Sequence, residues 1–165
     1  MELAPLSLAT ALTVLGWRNT ARDSLRTPHL ITEEQQRRWI TDLPDRKDMR
    51  YFEVCVGNTP ASVYGLTGID TINGRAEISL IVNPEYMRKG IGAASLRLLF
   101  DEGFKRTRLH CLYAECYECN PNIGFWNRMS DEFDADRSII PYTKYLSGVY
   151  HSSVIYSFVS NKIMR

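Results

Sequence analysis

Met87-Arg88-Lys89-Gly90-Ile91-Gly92-Ala93 stands between two runs of different period. Ahead of it, residues 76–82 (Ala-Glu-Ile-Ser-Leu-Ile-Val) read as a strand that Asn83-Pro84 ends. Behind it, residues 94–104 read as a helix. A strand feeding a basic, glycine-containing loop that opens a helix is an anion-binding device. The first-turn N–H groups have no intrahelical partner, and the helix dipole places partial positive charge there. Gly90 and Gly92 let the backbone approach a bulky anion with no Cβ in the way. The segment predicts a phosphate or pyrophosphate site.

Outward from this loop the chain reads as one domain, 1–165, with room for a single core. Its 44% hydrophobic and 24% charged content is that of an ordinary globular protein. Twenty basic against nineteen acidic residues leave +1, so no global field points to nucleic acid or an anionic membrane. The apolar stretch at residues 3–15 lacks a basic start, having Glu2, and is broken by Pro5, Ser7 and Thr10. A short strand and an amphipathic helix are expected there rather than a signal peptide or a span, with a cytoplasmic location. Cys116 and Cys119 form a C-x-x-C without a second pair, which predicts reduced thiols and no metal.

Ser7 is placed to cap a helix over 8–18, and Thr32-Glu33-Glu34-Gln35 is a capping-box pattern opening a helix that Pro44 ends. Residues 19–31 between them read as an irregular loop. Strands are expected at 51–56, 62–72, 75–82, 109–117 and 148–158, with Asn73-Gly74 as a hairpin turn and a helix from Asn120-Pro121 through Met129. The predicted order is β-α-α-β-β-β-α-β-α-β, an α+β class with a mixed, mostly antiparallel sheet. Two nucleotide readings fail on spacing. Ser95 stands where a Rossmann loop needs its third glycine, after a hairpin instead of a βαβ unit, and no P-loop pattern occurs.

The run from Ile81 through Val82-Asn83-Pro84-Glu85-Tyr86 to Gly92 resembles the acetyl-CoA signature of the GNAT superfamily of N-acetyltransferases. Residues 112–126, with Cys116, Asn120 and the Phe125-Trp126 pair, are similar to the family's region around its fifth strand and following helix. Gly16-Trp17-Arg18-Asn19, the 32–35 helix start and the 148–153 tail look like the subgroup of ribosomal-protein N-terminal and aminosugar-nucleotide acetyltransferases. The first motif position, usually Gln or Arg, is Met87 here, and Trp126 stands where the family often has Tyr.

The resemblance implies acetyl-CoA as co-substrate and no metal. Met87, Arg88, Lys89, Gly90, Ile91, Gly92 and Ala93 would hold the pyrophosphate, Leu80, Ile81 and Val82 would pair with pantetheine, and Asn120 and Trp126 would complete the cofactor site. Acyl transfer to an amine requires removal of the amine's proton, stabilisation of a developing oxyanion and protonation of the departing thiolate. Glu77 is the expected base. The acid is open among Tyr113, Tyr117, Cys119 and Tyr142, of which Tyr117 and Cys119 are carried forward as catalytic candidates. Arg18, Arg22, Trp39 and Tyr142 are the expected acceptor contacts. The expected activity is acetyl transfer to the primary amine of a small molecule, with an aminosugar nucleotide as one candidate, by a monomer or homodimer. A protein N-terminal acetyltransferase and a non-catalytic acyl-CoA-binding domain are the alternatives.

Overall fold

The computed structural model describes residues 3–164, so Glu2 lies outside the described residues. The chain runs β1 (Ala4–Pro5), α1 (Leu8–Thr20), α2 (Glu33–Asp42), β2 (Met49–Val56), β3 (Thr59–Asp70), β4 (Arg75–Val82) and α3 (Ile91–Phe100). It continues through β5 (Cys111–Tyr117), α4 (Ile123–Glu132), β6 (Asp136–Leu146), β7 (Val149–Val159) and α5 (Ser160–Ile163). The described strands form a seven-stranded sheet in the order β1-β2-β3-β4-β5-β7-β6. All neighbours are antiparallel except β4 and β5.

The caps act as the sequence predicts. Ser7 Oγ accepts from the Thr10 N–H, and Thr32 and Gln35 exchange both capping-box bonds at 3.2 and 2.9 Å. The hairpin at Asn73-Gly74 is looser than a two-residue turn. Asp70 pairs with Arg75 and its carboxylate accepts from the Ile72 and Asn73 N–H groups, so four residues cross the gap.

One strand was not anticipated. β6 forms the outer edge of the sheet and is exposed along nearly all its length, so it carries no alternation of buried and exposed residues. Pro141 and Tyr142 (φ 58°) sit at the register shift between Ile140 and Lys144, where a bulge tolerates a residue without an N–H. Ser147 and Gly148, both at positive φ, make the two-residue turn that joins β6 to β7.

Alternation along the strands divides the molecule. Ala76 and Ile78 of β4, with Tyr64, Leu66, Leu112 and Phe158, face the core formed with Leu96, Leu99 and Phe100 of α3 and Met129 of α4. Glu77, Ser79 and Ile81 point to the opposite face, which α1 and α2 cover. Cys116 lies in the core, where burial pushes its thiol from the ordinary value near 9 up to about 12. Between those values the unfolded chain loses the proton and the folded chain keeps it, so stability falls as pH rises. The unfolding midpoint should drop above about pH 9, and Cys116→Val should lose less midpoint between pH 8 and 11 than the wild type.

Candidate active site

The loop after β4 begins with Asn83, whose Oδ1 accepts from the Glu85 N–H, and a single 3-10 turn over Pro84–Tyr86. Arg88 (φ 61°) and Gly90 (φ 79°) both take left-handed backbone, and Gly90 is the residue that caps α3. The first α-helical bond of α3 runs from the Ala94 N–H to the Gly90 carbonyl, which leaves the Ile91, Gly92 and Ala93 N–H groups aimed out of the helix end. Tyr64 Oη donates to the Gly92 carbonyl and Ser62 pairs with Ser95 at 3.1 Å, so β3 fixes the start of α3. Met87 is exposed, and the Lys89 ammonium lies 5.4 Å from the Tyr86 ring centroid. Backbone donors with Arg88 and Lys89 beside them form a cradle whose geometry could hold an anion.

β4 leads from that cradle to a gap in the sheet. β4 and β5 pair only from Arg75 to Glu77 against Cys111 to Tyr113. β4 pairs with β3 through Val82, and β5 pairs with β7 through Tyr117. Beyond Glu77 the two parallel strands splay, so Leu80, Ile81 and Val82 present a backbone edge along the gap. An extended chain can add there as a strand adds to a sheet edge.

Glu77 is the last β4 residue paired with β5, on the face toward α1 and α2. Its carboxylate and that of Glu115 share one guanidinium. Arg26 Nη2 donates to Glu77 Oε1 and Glu115 Oε2, both at 2.5 Å, and Nη1 donates to Glu77 Oε2 at 3.2 Å. The carboxylates are mostly covered, at 20% and 17% exposure, whereas Arg26 reaches them from the solvent side at 58%. Those bonds hold the Arg26 guanidinium above its ordinary pKa, chiefly through Glu77.

Tyr113, Glu115 and Tyr117 share a face of β5 by the same alternation. Burial raises the Tyr117 phenol, the Glu115 charge adds to the rise, and a hydrogen bond with Arg26 opposes it. The Lys144 ammonium, itself bonded to the Leu25 carbonyl at 2.8 Å, lies 5.4 Å from the Tyr117 ring centroid. Tyr117 is thus a protonated hydroxyl at the carboxylate pair. Cys119 lies half-buried in the turn after β5.

A cavity of about 500 Å³ opens beside Ser79 and Ile81, between the sheet and α1, α2 and the 27–31 segment. Arg18 and Trp39 are among the residues that line it. Arg18 donates to the His29 and Thr27 carbonyls at 3.3 and 3.4 Å, and burial lowers its pKa. Tyr51 was missed: its ring packs edge-on to Trp39 at 4.8 Å, and burial raises its phenol while a bond to Ser79 eases the rise. Gly65 makes room for it, since a Cβ there would stand 2.6 Å from the Tyr51 ring.

Three expected contacts sit elsewhere. Arg22 pairs with Asp23 at 3.7 Å outside the cavity, and Tyr142 is 74% exposed on the β6 bulge. Trp126 is in the core, stacked on Tyr156, because α4 begins at Ile123 and this turns Trp126 away from the loop. Its neighbour Phe125 faces the loop instead, with a ring atom 3.2 Å from where a Gly92 Cβ would stand. The Asn120 side chain is occupied: Oδ1 accepts from the Asn122 N–H at 2.8 Å, and Nδ2 donates to the Ser24 carbonyl at 3.4 Å. Among the described residues no three His, Cys, Asp or Glu group as a metal cage, and no helix is long and apolar enough to cross a membrane.

The model of the acetyltransferase (GNAT) domain matches residues 1–124, three quarters of the chain. This chain belongs to the GNAT acetyltransferase family. It is 33% identical over 69 residues to spermidine N(1)-acetyltransferase of Escherichia coli (strain K12). That stretch takes in 42% of this chain and only 37% of the relative. Spermidine N-acetyltransferase from Vibrio cholerae in complex with CoA and spermine superposes at a TM-score of 0.86, with 16% identity, over 99% of this chain and 97% of that one. A ribosomal alpha-N-protein acetyltransferase in complex with coenzyme A gives 0.82, with 18% identity, over 95% and 92%. At those identities the likeness is one of fold.

Proposed function

We propose that this GNAT domain is an acetyl-CoA-dependent N-acetyltransferase acting on the primary amine of a small molecule, by direct transfer in a ternary complex. The observation that carries the reading is the place of Glu77: a carboxylate at the point where β4 leaves β5, on the strand that runs on into the anion cradle. Bound acetyl-CoA supplies an activated acetyl thioester. The Ile91, Gly92 and Ala93 N–H groups, with Arg88 and Lys89, bind its pyrophosphate. The β4 edge at Leu80, Ile81 and Val82 orients its extended arm in the gap, and a β4 N–H polarises the carbonyl.

Glu77 accepts the proton of the incoming ammonium group, which must first take the place of Arg26. Tyr117, kept protonated by burial, donates a proton to the departing sulfur. Cys119 has no contact that supports that role over Tyr117. The aminosugar-nucleotide acceptor is set aside. Arg18 is engaged by carbonyls, Arg26 by carboxylates and Arg22 lies outside the cavity, while the relatives carry a polyamine or a protein N-terminus in their names.

The test is direct. Acetyl-CoA should raise the unfolding midpoint, and thiol release should follow addition of a primary amine. A midpoint shift without release from any amine would favour the binding-only alternative, for which the Arg26–Glu77 contact is the supporting observation. No shift would remove the cofactor assignment itself.

A further inference from the structure

The cavity beside Ser79 and Ile81 has walls of a particular kind. Val14, Trp39, Tyr51, Val63 and Leu30 supply apolar surface from both helices, the sheet and the loop. No Asp or Glu is among the described residues that line it. Among the described residues that line it, the permanently charged side chain is that of Arg18, whose guanidinium is bonded to the neutral His29 and Thr27 carbonyls. The carboxylates Glu77 and Glu115 stand together at the β4–β5 splay, and the Glu33 and Glu34 carboxylates pair with Arg37 and Arg38 on exposed α2 surface.

These placements distinguish two kinds of amine. A group with one ammonium can set it at the splay, against Glu77, and bury an apolar remainder in the cavity. A polyamine doing the same would carry a second ammonium into apolar walls beside Arg18, where it finds a like charge and no anion. At about 500 Å³ the space holds an aryl or branched alkyl body. Resting on the acetyltransferase reading, we propose that the cavity selects an acceptor with a single ammonium group on an apolar body, such as an arylalkylamine, and discriminates against polyamines.

The experiment compares thiol release from acetyl-CoA with phenethylamine, isoamylamine, putrescine and spermidine. The expected kcat/KM for phenethylamine exceeds that for spermidine by at least about tenfold, the scale on which apolar pockets discriminate. Leu30→Glu then adds a carboxylate at the cavity wall, at a position 63% exposed, so that the fold tolerates it. It should raise kcat/KM for spermidine and lower it for phenethylamine. Equal rates, or a preference for spermidine in the wild type, overturn the inference and leave the acetyltransferase reading standing. A Leu30→Glu variant with the wild-type ranking removes the cavity as the acceptor seat. Thiol release from no amine overturns the underlying reading, and the inference with it.

Discussion

Glu77→Gln should lower kcat by about 10²- to 10⁴-fold, the range that a positioned general base contributes. The amide keeps the shape of the carboxylate and one acceptor for Arg26, so the fold and the acetyl-CoA midpoint shift should persist while turnover is lost. Steady-state thiol release across amine concentrations separates the two readouts. A kcat within a few-fold of wild type would assign proton removal to another group and leave Glu77 as half of an ion pair. Arg26→Gln provides the contrast. Because Arg26 occupies both carboxylates from the solvent side, removing its charge should lower the amine KM, an effect that loss of a purely structural contact would not produce.

Gly90→Val should raise the Kd for acetyl-CoA by at least about tenfold. Gly90 caps α3 at φ 79°, where an L residue costs roughly 1–2 kcal/mol and a β-branched one is a true outlier. The substitution turns the Ile91, Gly92 and Ala93 N–H groups away from a common anion, and no side chain in the loop replaces three backbone donors. Isothermal titration with acetyl-CoA reads the loss. An unaltered Kd in a folded variant would place the pyrophosphate elsewhere. Since nothing lies within 4 Å of the position a Cβ on Gly90 would take, the effect is one of backbone conformation and not of crowding.

What the sequence made legible follows from how local each signal is. β4 matched its expected bounds of Arg75–Val82 because its alternation is carried by consecutive residues and bounded by turn-forming ones. The helix caps and the glycine loop are likewise written within four to seven positions. β6 was invisible because an edge strand with almost no buried residue has no burial period to read, although Ser147-Gly148 marks its turn. The Arg26–Glu115 contact joins residues 89 apart through an irregular loop, and no local pattern encodes such a pairing. Glu115 was within reach, since it shares with Tyr117, already a candidate, the parity of Tyr113, which pairs with Glu77. The Phe125–Trp126 assignment turned on which of two neighbours faces the loop: successive helix residues point about 100° apart, so Phe125 meets Gly92 while Trp126 turns into the core.

The short β4–β5 ladder has a mechanical side. Three residue pairs, extended by the Gly74 carbonyl that accepts from the His110 and Cys111 N–H groups, make the backbone seam between a four-strand plate, β1 to β4, and a three-strand plate, β5, β7 and β6. Past Glu77 the plates meet through the packed layer of α3 and α4 on one face and through Arg26, held between Glu77 and Glu115, on the other. A molecule laid in that notch as an extra rung would stitch the open half of the seam, so that loading the protein and stiffening its sheet become one event.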